Sequence, residues 1–378
     1  MNSLIWAAGG FSAIALTAHM VSLALAWRRG RAHDTALSPD DCPPVTIVRP
    51  VCGLDNFAEE TLASTFFLNG PEYEIIFCAA SPRDPAVSLV RELIARHPQA
   101  NARLLVGNDH VSDNPKLNNV VKGWRAAANP WIALIDSNVM LPRDFIARLF
   151  AEWSGDTGLV SSPPVGAAPD GAWAELECAF LNSYQARWQY AADGVGLGFA
   201  QGKLLFWRRE LLDRAGGIAR LTDEMAEDAA ATKVVREAGL DVRLLARPLA
   251  QPLGYRSARD VWQRQVRWAR LRRATFPLYF VPEIFSGAAF PAASAGLTGF
   301  ALDLSVTGSL GLFLVAWYGS EALFVRAAGW HFRAFSPLPW ILRDLLLPVL
   351  WVQAWTGSEF VWRGHAMTVA TAGGDSGD

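Results

Sequence analysis

From Leu4 to Trp27 the chain carries no charged side chain, and Arg28, Arg29 and Arg31 follow at once. A run of that length spans the hydrocarbon core of a bilayer as a helix. Whatever else the chain folds into, part of it therefore lies in lipid. The run has neither a basic start nor a small-residue cleavage site, the marks of a removable signal peptide. It reads as an uncleaved anchor, with the arginines holding the residues after it on the cytoplasmic side. Sixteen tryptophans, 19% charged residues and a positive mean hydropathy agree with a membrane protein. The 34 basic and 36 acidic side chains nearly cancel, which argues against a nucleic-acid partner. Cys42, Cys52, Cys78 and Cys178 show neither metal-ligand spacing nor a tight disulfide framework. They read as idle thiols in a reducing compartment.

A second apolar region begins at Phe276. Pro277 to Pro282 suits an interfacial segment. Ile284–Leu302, Leu304–Val325 and Leu338–Trp355 then form three apolar stretches, separated by Asp303 and by the Arg326–Pro337 loop. Intramembrane charges cost several kcal/mol unless paired or near water. Asp303 and the adjacent Arg343 and Asp344 are therefore expected at helix ends or facing one another. His33–Pro44 is a polar, Pro-rich linker, and the small polar residues after His365 are expected to form a disordered tail.

Between the two apolar regions the pattern changes. Val45–Arg49, Glu74–Ala79, Arg103–Val106 and Trp131–Ile135 read as strands, alternating with helices over Asn56–Leu68, Pro85–His97 and Lys116–Ala127. Such alternation implies parallel βαβ units and a sheet covered on both faces. Further on, Gly158–Ser161, Lys203–Trp207 and Val242–Leu245 read as strands, and Arg143–Trp153, Trp173–Tyr190 and Asp223–Ala238 as helices. Ligands collect beyond the carboxyl ends of the strands in sheets of this kind. The polar clusters Arg83-Asp84, Asn114-Pro-Lys116 and Asp136-Ser-Asn138 stand there.

The two halves meet at Ser257–Arg273. Ser257 with Asp260 three residues on is a capping-box signature. No Gly or Pro follows until Pro277, so one helix is predicted. On it Arg264, Trp268 and Arg272 share a face at four-residue spacing, and Arg264, Arg267, Arg270 and Arg273 another at three. Cations at a water–membrane boundary need anions, and lipid headgroups or the phosphates of a bound nucleotide can supply them.

Each candidate side chain has a plain structural use beside its chemical one. Asp136 can ligate a divalent cation or meet a sugar hydroxyl, with Asn138 adding a neutral oxygen. Such hard donors suit Mg²⁺ or Mn²⁺, phosphate oxygens completing the shell. The same aspartate can cap the loop after its strand. Asp84 can accept from a base or ribose, or N-cap the helix that starts at Pro85. Lys116 opposes the dipole at a helix start, as a lysine with an anion to hold would, or it is a solvated surface residue. In Glu227-Asp228, adjacent helix positions point about 100° apart. One carboxylate is expected to face the cleft as general base toward an alcohol while the other packs or caps, the alternative being a solvated acidic face. Hydrolase-elbow, P-loop and zinc spacings are lacking, and none of the six histidines lies between His110 and His331.

The order of these signals is more specific than any one of them. Asp84, Asp136-Ser-Asn138, Glu227-Asp228 and Arg264-Gln-Val-Arg267-Trp268 resemble the D, D, D, (Q/R)xxRW series of inverting GT-A glycosyltransferases. Arg49-Pro-Val-Cys-Gly53, Asn114-Pro-Lys-Leu-Asn-Asn119, Ala226-Glu-Asp228 and Arg267-Trp-Ala-Arg-Leu-Arg272 are similar, more narrowly, to the ceramide glucosyltransferase family, glycosyltransferase family 21. Pro348–Trp355 resembles the C-terminal membrane segment of its bacterial members. That resemblance implies an α/β, GT-A type (Rossmann-like) domain with a mostly parallel sheet, one N-terminal and about three C-terminal transmembrane helices. Residues 1–28 would be the anchor, 29–44 the linker and 45–256 the cytoplasmic catalytic domain. Residues 257–283 would be interfacial helices with the RxxRW motif, 284–360 transmembrane helices and 361–378 a tail.

The same resemblance implies a UDP-sugar donor, a divalent cation (Mg²⁺ or Mn²⁺), a membrane-lipid alcohol such as ceramide as acceptor, and a single inverting displacement at the cytoplasmic face of the inner membrane. Asp84, Lys116, Asp136, Arg264 and Arg267 would hold the nucleotide sugar, with Asp136 also on the metal. Trp268 would pack on the acceptor, and Asp228 would deprotonate its hydroxyl. Asn138 stands where the general GT-A metal motif has a second aspartate, and Asn182–Gln185 stands where animal members carry a histidine. Competing readings are the same machinery acting, processively, on diacylglycerol or on a hopanoid, and a non-catalytic membrane protein on the same fold.

Overall fold

The computed structural model describes residues 2–31, 37–38, 41–357, 359–362 and 365–368. Part of the expected linker (32–36, 39–40) and most of the expected tail (369–378) lie outside the described residues. The chain divides into two units. One comprises Arg28–Ala168 and Trp188–Gly254; the other comprises Met1–Trp27, Pro169–Arg187 and Tyr255–Asp378.

Strands come in the order β1 (Val45–Val51), β2 (Glu74–Ala79), β3 (Ala102–Val106), β4 (Trp131–Ile135), β5 (Thr157–Ser161), β6 (Val165–Asp170), β7 (Leu204–Arg208), β8 (Asp241–Leu244) and β9 (Ala250–Tyr255). Seven of them form one sheet in the order β3-β2-β1-β4-β7-β5-β8. Every pairing is parallel except those of β7, which runs against both of its neighbours. β1 and β2 are buried at every position, as β-branched strands covered on both faces must be. Successive residues serve opposite layers. Val48 packs with Leu117, Val121 and Trp124 of the Pro115–Ala126 helix, and Ile47 with Phe145, Ile146 and Leu149. A Cβ on Gly123 would stand 2.5 Å from Val48 Cγ1 and 2.7 Å from Cys78 Sγ. Only a glycine lets that helix approach the sheet so closely.

β6 and β9 form a separate two-stranded ribbon that sequence patterning does not reveal. Pro169, Pro252 and Gly254 lie within them and weaken the strand signal. The expected Asp223–Ala238 helix is Glu227–Glu237, preceded by a 3₁₀ turn at Ile218–Thr222. The stretch read as one helix over Trp173–Tyr190 is α-helical at Ala172–Ala179, π-helical at Phe180–Ala186 and α-helical again at Arg187–Gly194.

The N-terminal helix is Asn2–Arg31, its residues up to Trp27 in the second unit, with Trp6–Arg31 long and apolar enough to cross a membrane, as is Val306–Ala327. Pro277–Phe285 and Ala289–Ala301 meet at a 42° bend and make a third crossing if taken as one span. The Ile284–Leu302 stretch is thus broken near Gly287, and its regular helix starts only at Ala289. Pro337–Trp355 is a helix with Arg343 and Asp344 near its middle and Pro348 after them. Ser257 caps Ala258–Thr275 as the sequence predicts: the Asp260 amide donates to Ser257 Oγ at 3.2 Å and the Ser257 amide to Asp260 Oδ2 at 3.3 Å. The start of the expected disordered tail is ordered instead, since Glu359–Trp362 and His365–Thr368 pair as antiparallel strands.

Candidate active site

The strand order β2-β1-β4 places the residues after β2 and β4 on either side of β1. Arg49, in β1 and fully buried, fixes the second of these loops. Its Nη2 donates to the carbonyl oxygens of Asp136 (2.8 Å), Ser137 (3.1 Å) and Val139 (2.8 Å), and its Nη1 to Thr61 O and Thr65 Oγ1. The backbone carrying Asp136 is therefore held by one guanidinium fork.

Around Asp136 the first unit gathers charge. Lys116 Nζ lies 2.6 Å from Asp136 Oδ1, 2.7 Å from Glu227 Oε1 and 2.5 Å from the carbonyl of Gly202. Lys203 Nζ lies 3.0 Å from Asp136 Oδ2 and 3.0 Å from Asn138 Oδ1. Asn114, the N-cap of the Pro115–Ala126 helix, accepts from the Lys116 and Leu117 amides and donates from Nδ2 to Glu227 Oε2 at 2.9 Å. Asp228 accepts from the Gly202 amide at Oδ2 and from the Ala229 amide at Oδ1, each at 2.8 Å. A Cβ on Gly202 would meet Glu227 Oε1 at 2.9 Å, Lys116 Nζ at 3.0 Å and Asp228 Oδ2 at 3.5 Å. Both neighbouring carboxylates thus reach this one glycine. They sit in the first helical turn, Glu227 buried and bonded to Asn114 and Asp228 partly buried.

The electrostatics follow from these partners. Burial works against the charge on Asp136, but Lys116 and Lys203 outweigh it and hold the carboxyl well below its ordinary range. Burial likewise opposes the Lys116 ammonium, and Asp136 and Glu227 more than restore it. For Lys203 burial prevails and its pKa is lowered, Asp136 offsetting only part of the cost. Asp228 moves the other way. Burial, reinforced by the negative charge of Glu227, pushes it up to about 6, against the pull of Lys116 and of the two amide donors.

Asp84 is the N-cap of the Pro85–Arg96 helix, accepting from the Ala86 amide at 2.9 Å. Its carboxylate also takes the Gly53 amide, at 2.9 and 3.0 Å to its two oxygens. The capping use is realised, and it ties the loop after β1 to the loop after β2. Lys116 does hold an anion, as its place at a helix start suggests, and that anion belongs to the protein.

The donors near Asp136 do not fit a ready-made divalent-cation site. Both of its oxygens are occupied by ammonium groups, Asn138 Oδ1 faces Lys203, and Asn138 Nδ2 turns to Asp55 Oδ2 at 3.3 Å. Among the described residues no group of three or more His, Cys, Asp or Glu side chains is arranged to hold a metal ion. A divalent ion wants several oxygen ligands, and here it would have to displace a cation first.

Arg264, Arg267 and Trp268 lie on the Ala258–Thr275 helix, in the second unit. Arg264 Nη1 is ion-paired with Glu177 Oε1, and Glu177 is fully buried. Gln265, inside the same motif, accepts at Oε1 from Gln185 Nε2 at 3.1 Å. Arg272 pairs with Glu283 at 2.8 Å, and the Arg273 guanidinium lies over the Trp355 ring. Arg267 and Trp268 are both partly buried.

Sequence reasoning finds Asp136, Lys116 and Asp228, which the fold brings together, and passes over Lys203. That residue reads as the polar first position of an apolar strand. The signal available was Gly202-Lys203, a glycine and a cation where a strand begins.

A mostly parallel sheet with acidic residues at its strand ends is the GT-A type of architecture. A mannosyltransferase from Pyrobaculum calidifontis, solved in complex with GDP-Man and Mn²⁺, superposes with a TM-score of 0.54 at 19% identity, covering 92% of this chain and 98% of that one. The chain shares that fold. The profile of glycosyl transferase family 21 matches residues 9–374, and the chain belongs to that family. It is 26% identical to ceramide glucosyltransferase 3 of Caenorhabditis elegans, over 93% of this chain and 78% of that protein. It is 37% identical to a ceramide glucosyltransferase of Komagataella phaffii over 114 residues, 29% of this chain and 22% of that protein. The crossing helices and the family make it a membrane protein.

Proposed function

We propose that this protein transfers a hexose, glucose foremost, from a UDP-sugar to the hydroxyl of a membrane lipid, ceramide foremost, with Asp228 as general base. The observation that carries the reading is the Asp228 carboxylate, pushed up to about 6 and anchored by the Gly202 and Ala229 amides beside Lys116 and Asp136. A base with that pKa is ionised at neutral pH yet accepts a proton as the sugar–phosphate bond breaks. The lipid oxygen attacks the anomeric carbon from the face opposite the diphosphate, its proton passes to Asp228, and UDP leaves with the bonding pair. Lys116 would take up the charge of the departing diphosphate. Asp84 and Asp136 would seat the nucleotide, and Trp268 the acceptor. Because the donors around Asp136 do not fit a divalent cation, no step runs through one.

A lipid hydroxyl is available only at a bilayer surface, which agrees with a chain whose described residues include two helices long and apolar enough to cross a membrane. The arginines after Trp27 favour a multi-pass protein of the inner membrane with its α/β unit in the cytoplasm. The test is to incubate purified protein with several UDP-sugars and with ceramide, diacylglycerol and hopanoid acceptors, and to identify products by mass. Glucosylceramide is the expected product. A product on diacylglycerol alone would move the acceptor, and absence of any glycolipid with any pair would overturn the reading.

A further inference from the structure

Lys203 has no assigned role, and its surroundings are unusual. A buried ammonium commonly rests on a carboxylate of its own. This one shares Asp136 with a second lysine and spends another donor on the neutral oxygen of Asn138, at 3.0 Å. Its side chain is 12% exposed, and that of Asp136 is 24% exposed. The pair is therefore reached by solvent, unlike the packed core beneath it. Lys203 is anchored by the fold: its carbonyl accepts from the Asp136 amide at 3.2 Å, and β7 begins at the next residue. Asp136 Oδ2 and Asn138 Oδ1 are both side-chain oxygens after β4, and one ammonium covers both.

We propose that Lys203, together with Lys116, supplies the positive charge that meets the diphosphate of the sugar nucleotide, in the place where a divalent cation would otherwise stand. The inference rests on the glycosyltransferase reading above and specifies how its donor is held. The local charges support it. Lys116 and Lys203 pair with Asp136 and Glu227, with Asp228 and Asp55 also near them, and an arriving dianion finds two ammonium groups able to turn toward it. An arriving divalent cation finds the same two groups already on its ligands. Lysine is a compact, strongly hydrated point charge on a flexible stem, suited to a group that must be gripped and then released. A glycine before Lys203 also lets its neighbours close in, since any Cβ at Gly202 would strike Lys116 Nζ and Glu227 Oε1. Asn138 belongs to the same arrangement. A second carboxylate there would draw Lys203 onto itself and favour a metal.

The experiment is a calorimetric titration of full-length, detergent-solubilised protein with UDP, in chelator and then with Mn²⁺ added. Wild type is expected to bind UDP in chelator with an affinity that Mn²⁺ changes little. Lys203→Met should weaken that binding by about tenfold or more, the scale of a lost charge-assisted contact, and Lys203→Arg should recover most of it. Circular dichroism and thermal melting of both variants separate this from misfolding. Lys203→Met combined with Asn138→Asp should regain UDP binding only when Mn²⁺ is present. UDP binding by wild type that vanishes in chelator and returns with Mn²⁺ would overturn the inference and leave the glycosyltransferase reading standing. So would a folded Lys203→Met protein that binds UDP like wild type. Failure of wild type to bind UDP under either condition would overturn both.

Discussion

Two clusters of buried charge, one in each unit, are built from opposite materials. In the second unit Arg343 donates to Glu321 from Nη1 (2.7 Å) and Nη2 (3.2 Å), to Asp344 from Nε (2.8 Å) and to Ser183 Oγ (2.9 Å). Asp344 Oδ2 in turn accepts from Tyr318 Oη and the Ala288 amide, both at 3.0 Å. Arg343, Glu321 and Asp344 are each at most 1% exposed. A planar fork meets carboxylates side-on and nothing in the set is left to react. In the first unit the cations are lysines, Asp136 is 24% exposed, and Asp228 accepts from two backbone amides. One cluster is sealed and fixes helices to one another. The other is left open on one side, with partners that can be exchanged. Burial alone does not mark a site; the kind of cation and the remaining access do.

The sharpest way to break this contrast is at Asp228. Asp228→Asn is expected to lower transfer by roughly 10²–10⁴-fold, the usual share of a positioned base, with the melting temperature and UDP affinity of wild type. Activity that survives would remove Asp228 from the reaction. In the sealed cluster the order of effects reverses. Arg343→Ala strands two buried carboxylates and should cost about 3–5 kcal/mol in stability, read as loss of folded protein on heating in detergent. Replacing all three ions by Met and Leu should recover most of that loss, and a triple variant as unstable as the single one would contradict the assignment.

Gly202→Ala probes the open cluster's tolerance. The added methyl would fall 2.9 Å from Glu227 Oε1 and 3.0 Å from Lys116 Nζ. Moving reacting groups by about 1 Å can cost about 10²-fold, so kcat should fall while folding is retained. The smallest effect is a shift in pH. Activity should rise with pH through about 6 as Asp228 loses its proton. Glu227→Gln removes a negative charge that raises this value, so the rising limb of kcat/KM should move toward acid. A limb that stays in place, or moves toward alkali, would show that the titrating group lies elsewhere.

Much of this was legible in the sequence. The β-branched runs gave β1, β2 and β4 because both of their faces are buried, and the capping box gave the start of the Ala258–Thr275 helix. Asp136 and Asp228 could be picked out by their place in the ordered acidic series, since an aspartate ending a strand or opening a helix has common structural uses of its own. What stayed hidden depends on contacts distant in sequence. Lys203 lies 67 residues from its partner Asp136, and Glu321 lies 22 from Arg343; no periodicity links such pairs. The π-helical segment Phe180–Ala186 reads as ordinary helix in the sequence, since spacing does not distinguish one extra residue per turn. β6 and β9 were missed because proline and glycine inside a strand look like loop.

Arg49 deserves its place in the family motif for a reason that reaches beyond anchoring. With the carbonyls of Asp136, Ser137 and Val139 all bound to a single interior guanidinium nitrogen, that loop cannot swing without stripping three acceptors from a buried cation. The loop is thus a rigid gauge: a sugar nucleotide must match it, because it will not reshape itself to the nucleotide. Variants with altered donor choice should then arise from side chains projecting over the loop, while changes at Arg49 should spoil every donor alike.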